Sequence, residues 1–348
     1  MTDAPARTAL TLRALQPADC DRLLTWIDSS DALWQWSGAR SFTWPLDRGQ
    51  LLRDLAAHAG SSVELLAGID EDGQMVAHVL VDAQHYHGLG FIGRVAVAPE
   101  QRGRGVGAGL MRATIRHGFE ELGLHRLQLT VYTFNVAAIA TYRSVGFVVE
   151  GLARESTRGS TGRWDGLTMS LLEPDYRHPP TFGAGIRIAG PRDAAALATL
   201  LTQLGYPHDR DQAAARLLSW AAEPGGEVLV AEAKGGGMST GTEAGTGAGG
   251  GTPVGFAAVH RVPYVERPGA FARVVALSVD AAQRRTGVGR RLMAAVEGWA
   301  AARGCLEVEV TSLRSREAAH RFYAALGYED RCAESGRFRR ALPGGPGA

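Results

Sequence analysis

Two short runs of arginine and glycine are the residues most directly suited to chemistry. Arg102-Gly103-Arg104-Gly105-Val106-Gly107 follows a strand-like Arg94-Val95-Ala96-Val97 and the strand-ending Pro99. After it, Leu110, Met111, Ile115, Phe119 and Leu122 recur at helical spacing. A strand, a glycine loop and a helix N-terminus together make an anion cradle. Glycine lets backbone N–H groups approach a phosphate, the helix dipole favours negative charge, and Arg102 and Arg104 add cations. The run returns as Arg284-Arg285-Thr286-Gly287-Val288-Gly289. An ordinary strand-to-helix turn in a glycine-rich chain accounts for one such run far more easily than for two at the same place. Neither loop holds the Gly-Lys-Ser/Thr of a Walker A motif. Gly103 to Ala108 half meets a Rossmann fingerprint, but the next strand ends in Thr130-Val131-Tyr132-Thr133 without the acid that a ribose needs.

The elements that position these loops also occur twice. Leu12-Arg13-Ala14-Leu15-Gln16-Pro17-Ala18-Asp19 pairs with Ile186-Arg187-Ile188-Ala189-Gly190-Pro191-Arg192-Asp193, each a strand, a proline turn and a helix capped near its Asp. Tyr142-Arg143-Ser144-Val145-Gly146-Phe147 pairs with Tyr323-Ala324-Ala325-Leu326-Gly327-Tyr328. Three matches in one order mark a duplicated domain, as the length of 348 residues allows. The expected organisation is a first domain over 8–175, a linker over 176–185 rich in proline and glycine, and a second domain over 186–342. A Gly/Thr-rich flexible loop over 235–252 lies inside the second domain, between two hairpin strands; Asp70-Glu71-Asp72-Gly73 makes the tight turn of the first. The order of elements predicts a mixed α/β fold. Each domain is expected to hold a mostly antiparallel twisted sheet flanked by helices.

Composition excludes several classes. The 37 basic and 36 acidic residues nearly cancel, which argues against nucleic acid as partner. Cys20, Cys305 and Cys332 are too scattered for a disulfide framework or a metal site. No apolar stretch has the length of a membrane span or signal core, so the expectation is a cytoplasmic protein without membrane attachment, as a monomer or homodimer.

The run from Val95 through Gly107 resembles motif A of the GNAT superfamily, the acyl-CoA-dependent N-acyltransferases. Asn135, Ala138, Tyr142, Gly146 and Phe147 resemble its motif B. Gly146 to Gly151, with Arg154, is similar to the branch that acetylates N-termini of ribosomal proteins. Leu277-Ser278-Val279 through Gly289, with Ala319, Tyr323, Gly327 and Tyr328, repeats the resemblance.

The resemblance implies acetyl-CoA as cosubstrate and direct acetyl transfer to a primary amine, on a small molecule or a protein N-terminus, with no metal. It implies that the amides of Arg102, Gly103, Arg104, Gly105, Val106 and Gly107, and of Arg284, Arg285, Thr286, Gly287, Val288 and Gly289, hold the pyrophosphate. It implies that Val95, Val97, Leu277 and Val279 offer backbone groups to the pantetheine and the thioester carbonyl. Tyr142 and Tyr323 correspond to the tyrosine that protonates the departing thiolate. Asn135 either touches the cofactor or caps its helix. The chain departs from the pattern at Arg316, where the first copy has Asn135, and at Gly93-Arg94 and Val275-Ala276, where an acidic base is common. Glu150, His85, His87 and His260 are other candidate bases. The acceptor pocket is expected around Trp34 to Trp44 and Tyr264. The rival readings are a small-molecule acetyltransferase acting on an antibiotic or a thiol precursor, and a protein in which one or both copies only bind acyl-CoA, as sensors or interaction modules.

Overall fold

A computed structural model of the chain describes residues 9–38, 41–160, 162–179, 182–233 and 251–331. The region expected as a flexible loop at 235–252 lies almost wholly outside the described residues, as does the end of the second copy beyond 331. The described residues divide into two units, one up to Val308 and one from Glu309 onward. Both sheets lie mainly in the first. The last helix, α10 (Glu317–Ala324), belongs to the second unit.

The first copy runs β1 (Thr11–Ala14), α1 (Cys20–Leu24), α2 (Ser30–Ser37), α3 (Arg48–His58), β2 (Val63–Ile69), β3 (Met75–Gln84), β4 (Leu89–Val97), α4 (Val106–Arg116), β5 (Arg126–Tyr132), α5 (Val136–Ser144), β6 (Val148–Gly159), β7 (Gly162–Leu172) and α6 (Glu173–Arg177). Its seven strands lie in the order β1-β2-β3-β4-β5-β7-β6. Only β4 and β5 run parallel; the other neighbours are antiparallel. Alternation along the strands buries both faces. Val79, Val81, Ile92, Leu127 and Leu129 pack with Leu110, Met111 and Ile115 of α4. Leu65, Ala67 and Met75 pack on the opposite face with Leu23, Leu33 and Leu51 of α1 to α3.

The second copy runs β8 (Ile186–Ile188), α7 (Ala194–Leu204), α8 (Arg210–Ala222), β9 (Gly226–Glu232), β10 (Pro253–Pro263), β11 (Ala270–Val279), α9 (Val288–Ala302) and β12 (Cys305–Val310). Its sheet has the order β12-β11-β10-β9-β8, the counterpart of β5-β4-β3-β2-β1.

The duplication extends to side chains. Arg13 grips Asp19 with both guanidinium nitrogens at 2.6 and 2.9 Å, and Arg187 grips Asp193 at 2.7 and 2.8 Å. Each Asp also accepts from the backbone N–H three residues earlier, at Gln16 and at Gly190, both at 2.8 Å. The expected cap near each Asp is therefore present, made at the proline turn and not to the amides of the α-helix that follows, and it fastens the first strand to the first helix. Hydrogen bonding by Arg13 outweighs burial and holds the Asp19 carboxyl below the usual range.

Candidate functional site

The site begins where two neighbouring strands part. The ladder between β4 and β5 joins Leu89 through Ile92 to Arg126 through Leu129 and goes no further. Beyond it β4 stays with β3, and β5 stays with β7 as far as Tyr132 opposite Gly166. A bulge marks the parting: Arg94 and Val95 together oppose one residue of β3, and Arg94 takes a left-handed φ of 51°. The Ala98 N–H bonds the Val76 carbonyl at 2.9 Å. By the alternation of an antiparallel ladder, the backbone polar groups of Val97 then face away from β3, into the opening.

The second copy repeats the bulge and the strand end. The pairing of β10 with β11 shifts between Ala258 and Val259, so Val275 is the extra residue, just before Leu277. The Asp280 N–H bonds the Val254 carbonyl at 2.8 Å, which turns the polar groups of Val279 away from β10.

The loops that follow share one backbone shape. Gly103 and Gly105 have φ of 75° and 86°; Arg285 and Gly287 have 66° and 90°. The left-handed conformation explains glycine at three of these four positions. Arg102 Nε donates to the Val97 carbonyl at 3.2 Å, and Arg284 Nε to the Val279 carbonyl at 3.3 Å, so each arginine folds back over the strand end. Arg104 and Thr286 stand between the two left-handed residues, and the Thr286 hydroxyl donates to Gln283 at 2.7 Å.

No side chain caps α4 or α9, because Gly105 and Gly287 have none to offer. The first helical bonds start at Gly109 to Gly105 and at Arg291 to Gly287. The N–H groups of Val106, Gly107 and Ala108, and of Val288, Gly289 and Arg290, are therefore directed out of their helix ends. Cβ atoms built on Gly103, Gly105 and Gly287 would meet nothing within 4 Å, so the space before each loop is open. A polyanion fits this arrangement: orphan amides, a positive dipole end and exposed arginines in the same loops. A Cβ on Gly107 would lie 3.7 Å from Thr141 of α5 and 3.8 Å from Val97 of β4, so the helix start, α5 and the parted strand converge there.

Asn135 caps α5, accepting from the Ala138 N–H at 3.3 Å. Tyr142, on the same helix, is buried in the main core beside Phe147, with ring centres 6.1 Å apart. Its hydroxyl has no hydrogen-bond partner among the described residues, and burial pushes its pKa up strongly. In the second unit, Tyr323 is half-buried between Phe322 and Tyr328, and burial raises its pKa too. Arg316 precedes α10 without a side-chain cap.

The other candidate bases lie elsewhere. Glu150 is held by both nitrogens of Arg126 at 2.8 and 2.5 Å and by Ser170 at 2.7 Å, beside the start of β5. His85 and His87 form the turn before β4, a strand length of about 25 Å from the loop that follows it. His260 pairs with Arg273 near the start of β11, away from the Arg284 loop. Tyr264 lies in the hairpin that enters β11 and bonds Glu307, so the hairpin direction places it at the opposite end of that strand from the loop.

The opposite face of the opening shows what the sequence alone does not. Helix α2 lies across it. Trp36 donates its indole N–H to the Arg94 carbonyl at 2.8 Å, and Trp34 meets Trp164 of β7 with centroids 6.4 Å apart. Tyr132 and Phe134 stand 5.1 and 5.0 Å from the same Trp164. The Arg94 guanidinium lies 4.8 Å over Phe42 and binds Asp54 of α3 at 2.5 and 3.1 Å. Where an acidic base would stand there is thus a neutralised, buried arginine. The only local signal of this pair was the unusual Arg94 itself; Asp54 lies 40 residues away in sequence. Beneath it, His78 is neutral: burial, with the Arg94 charge, pushes its pKa down to about 4, and its Nδ1 meets the Leu66 carbonyl at 2.9 Å.

Among the described residues, no cluster of His, Cys, Asp and Glu could hold a metal, and no helix is long and apolar enough to cross a membrane. The described cysteines are buried or half-buried, and burial pushes both thiols up.

The model of the acetyltransferase (GNAT) family matches residues 26–147 and again 200–328. The chain belongs to this family, with its pattern present twice. It is 26% identical over 180 residues to the putative ribosomal N-acetyltransferase YdaF of Bacillus subtilis, a match covering 48% of this chain and 93% of that protein. It is 31% identical over 86 residues to the L-amino acid N-acetyltransferase AaaT of Escherichia coli, covering 24% of this chain and 53% of that one. It is 33% identical over 84 residues to the spermidine N(1)-acetyltransferase of the same organism, covering 24% and 45%. The chain spans about half the length of these last two relatives. Among solved structures, the Vibrio cholerae spermidine N-acetyltransferase in complex with CoA and spermine aligns with a TM-score of 0.44 at 22% identity, covering 49% of this chain and 98% of that one.

Proposed function

We propose that the chain is an N-acetyltransferase that carries acetyl from acetyl-CoA to a primary amine, with the first copy as its main catalytic centre. The observation that carries this reading is the parted β4 and β5 ending at an uncapped, glycine-lined helix start. The amides of Arg102 to Gly107 hold the pyrophosphate. Val95 and Val97 offer backbone groups to the pantetheine and to the thioester carbonyl, where an N–H stabilises the oxyanion of the tetrahedral intermediate. The amine enters from the opposite face, beneath α2, between Trp36 and the rings of Tyr132 and Trp164. Its nitrogen attacks the thioester carbon, the C–N bond forms, and the C–S bond breaks. The proton on the attacking nitrogen passes to solvent water, the CoA sulfur leaves with the C–S electron pair and takes a proton from Tyr142, and the tyrosinate regains its proton from solvent.

Tyr142 serves as the donor to that sulfur. Burial keeps its hydroxyl protonated across the working pH range, and Asn135 holds the start of the helix that carries it. The Arg94 position, where the family often carries an acid, holds an arginine paired with Asp54 instead. The acceptor therefore reacts in its neutral form, and kcat/KM rises with pH to a plateau set by the amine's own pKa. Transfer is direct, from the thioester to the amine within one ternary complex.

The second copy, with Arg284 to Gly289, Leu277 and Val279, binds the same ligand. Arg316 in place of Asn135 favours its role as a binding module over Tyr323 as a second donor. The reading is tested by following thiol release from acetyl-CoA with a panel of amines that includes polyamines, amino acids and peptide N-termini. Amine-dependent release is expected; CoA binding with no release by any amine would leave only the sensor reading.

A further inference from the structure

The helix that carries Tyr142 is gripped from outside its own domain. Arg143, the next residue of α5, donates to the Trp220 carbonyl at 3.3 Å and to the Gly226 carbonyl at 3.0 Å, and lies 3.4 Å from the Glu227 carboxylate. All three partners belong to the second copy. The two charged side chains are only 10% and 5% exposed, so the pair is a buried one. Trp220 lies in the last turn of α8, where the helix dipole presents its negative end to the guanidinium. Beside it, Ala221 and Ala222 pack against the first copy's main core, which contains Tyr142, Val145 and Phe147.

Helix α5 needs such support. It has nine residues, fewer than the roughly 12–15 at which an isolated helix becomes marginal in water. Ile139 and Tyr142 are its only fully buried residues. One side rests on the first copy's core through these two, and another is pinned by Arg143 to the second copy.

We infer that the second copy is a buttress for the first copy's site: the Arg143–Glu227 clamp is a positioning device that holds α5, and with it Asn135 and Tyr142, in register with the α4 loop. Its kinetic consequence rests on the transferase reading above; its structural consequence does not.

The test uses the full chain. In Arg143→Gln, the α5 amides from Ile139 to Gly146 exchange hydrogen at least about ten-fold faster, while those of α4 from Leu110 to Arg116 keep their rates. The kcat falls about ten-fold with little change in KM for acetyl-CoA, because the loop is intact, and Arg143→Lys restores part of both. If the uncompensated Glu227 prevents folding, Arg143→Gln with Glu227→Gln replaces the pair by two neutral amides, and Arg303, the neighbouring cation, keeps Asp175 as its opposite charge. Unchanged α5 exchange, or equal acceleration in α4 and α5, overturns the inference. Absence of thiol release in the unsubstituted chain would instead overturn the transferase reading, and the exchange data would still decide on the buttress.

Discussion

Gly105 offers a perturbation whose parts can be separated. Its φ is 86° and a Cβ there would touch nothing within 4 Å, so Gly105→Ala adds backbone strain and no clash. An L-residue in the left-handed region costs about 1–2 kcal/mol, which lowers the melting temperature of a copy of this size by roughly 2–8 °C. Gly105→Glu adds a carboxylate to the same strain, pointed into the space assigned to the pyrophosphate. At a separation of about 5 Å and an effective dielectric of about 20, each carboxylate–phosphate pair costs about 3 kcal/mol, or more than 100-fold in Kd. Calorimetry with CoA should show two sites in the unsubstituted chain and in Gly105→Ala, and one in Gly105→Glu. Gly287→Glu should remove the other. The reasoning is refuted if Gly105→Ala loses the site as completely as Gly105→Glu, or if Gly105→Glu keeps both.

Three further outcomes follow. Tyr142→Phe should fold normally, keep its CoA affinity and lose roughly 10²-fold in kcat, measured by thiol release; a large fall in melting temperature at unchanged kcat would assign the ring to packing alone. Arg285→Gly should gain about 0.5–1 kcal/mol in urea unfolding by relieving a left-handed arginine, yet weaken CoA at the second loop by removing a cation; a loss of stability would contradict the strain. His117 is opposed by burial, but Glu64 at 2.5 Å and Glu121 at 2.7 Å outweigh it and raise its pKa, so its stabilisation is complete below the unfolded value of about 6.5 and fades as pH rises through the folded value. His117→Gln should therefore be less stable than the parent at pH 6 and nearly equal to it at pH 9; a gap of constant size would show that the ion pairs contribute nothing.

The repeat was legible because its features are local. Arg13 and Asp19 are six residues apart, as are Arg187 and Asp193, and each pair lies within one proline turn. The glycine loops were legible because left-handed backbone leaves a residue-type signature; Arg285, which takes that backbone without being glycine, shows where the signature fails. The α2 roof was not legible. Trp36 reaches Arg94 across 58 residues and Trp34 reaches Trp164 across 130, and no periodicity encodes such pairs. Asp19 marks the helix start in the sequence, but which amide it accepts from, Gln16 and not one within α1, depends on how Arg13 packs against it. Arg143 gave no signal at all, because its partners lie 77 to 84 residues away in the other copy.

The most direct test of the central claim is a thiol-release assay on the full chain against its Gly105→Glu and Gly287→Glu variants, with acetyl-CoA and whichever amine in the panel reacts fastest. The first variant should abolish nearly all turnover while the second retains most of it, since the parted strands, the capped α5 and Tyr142 all belong to the first copy. Turnover that survives Gly105→Glu and disappears with Gly287→Glu would place the chemistry in the second copy and contradict the account.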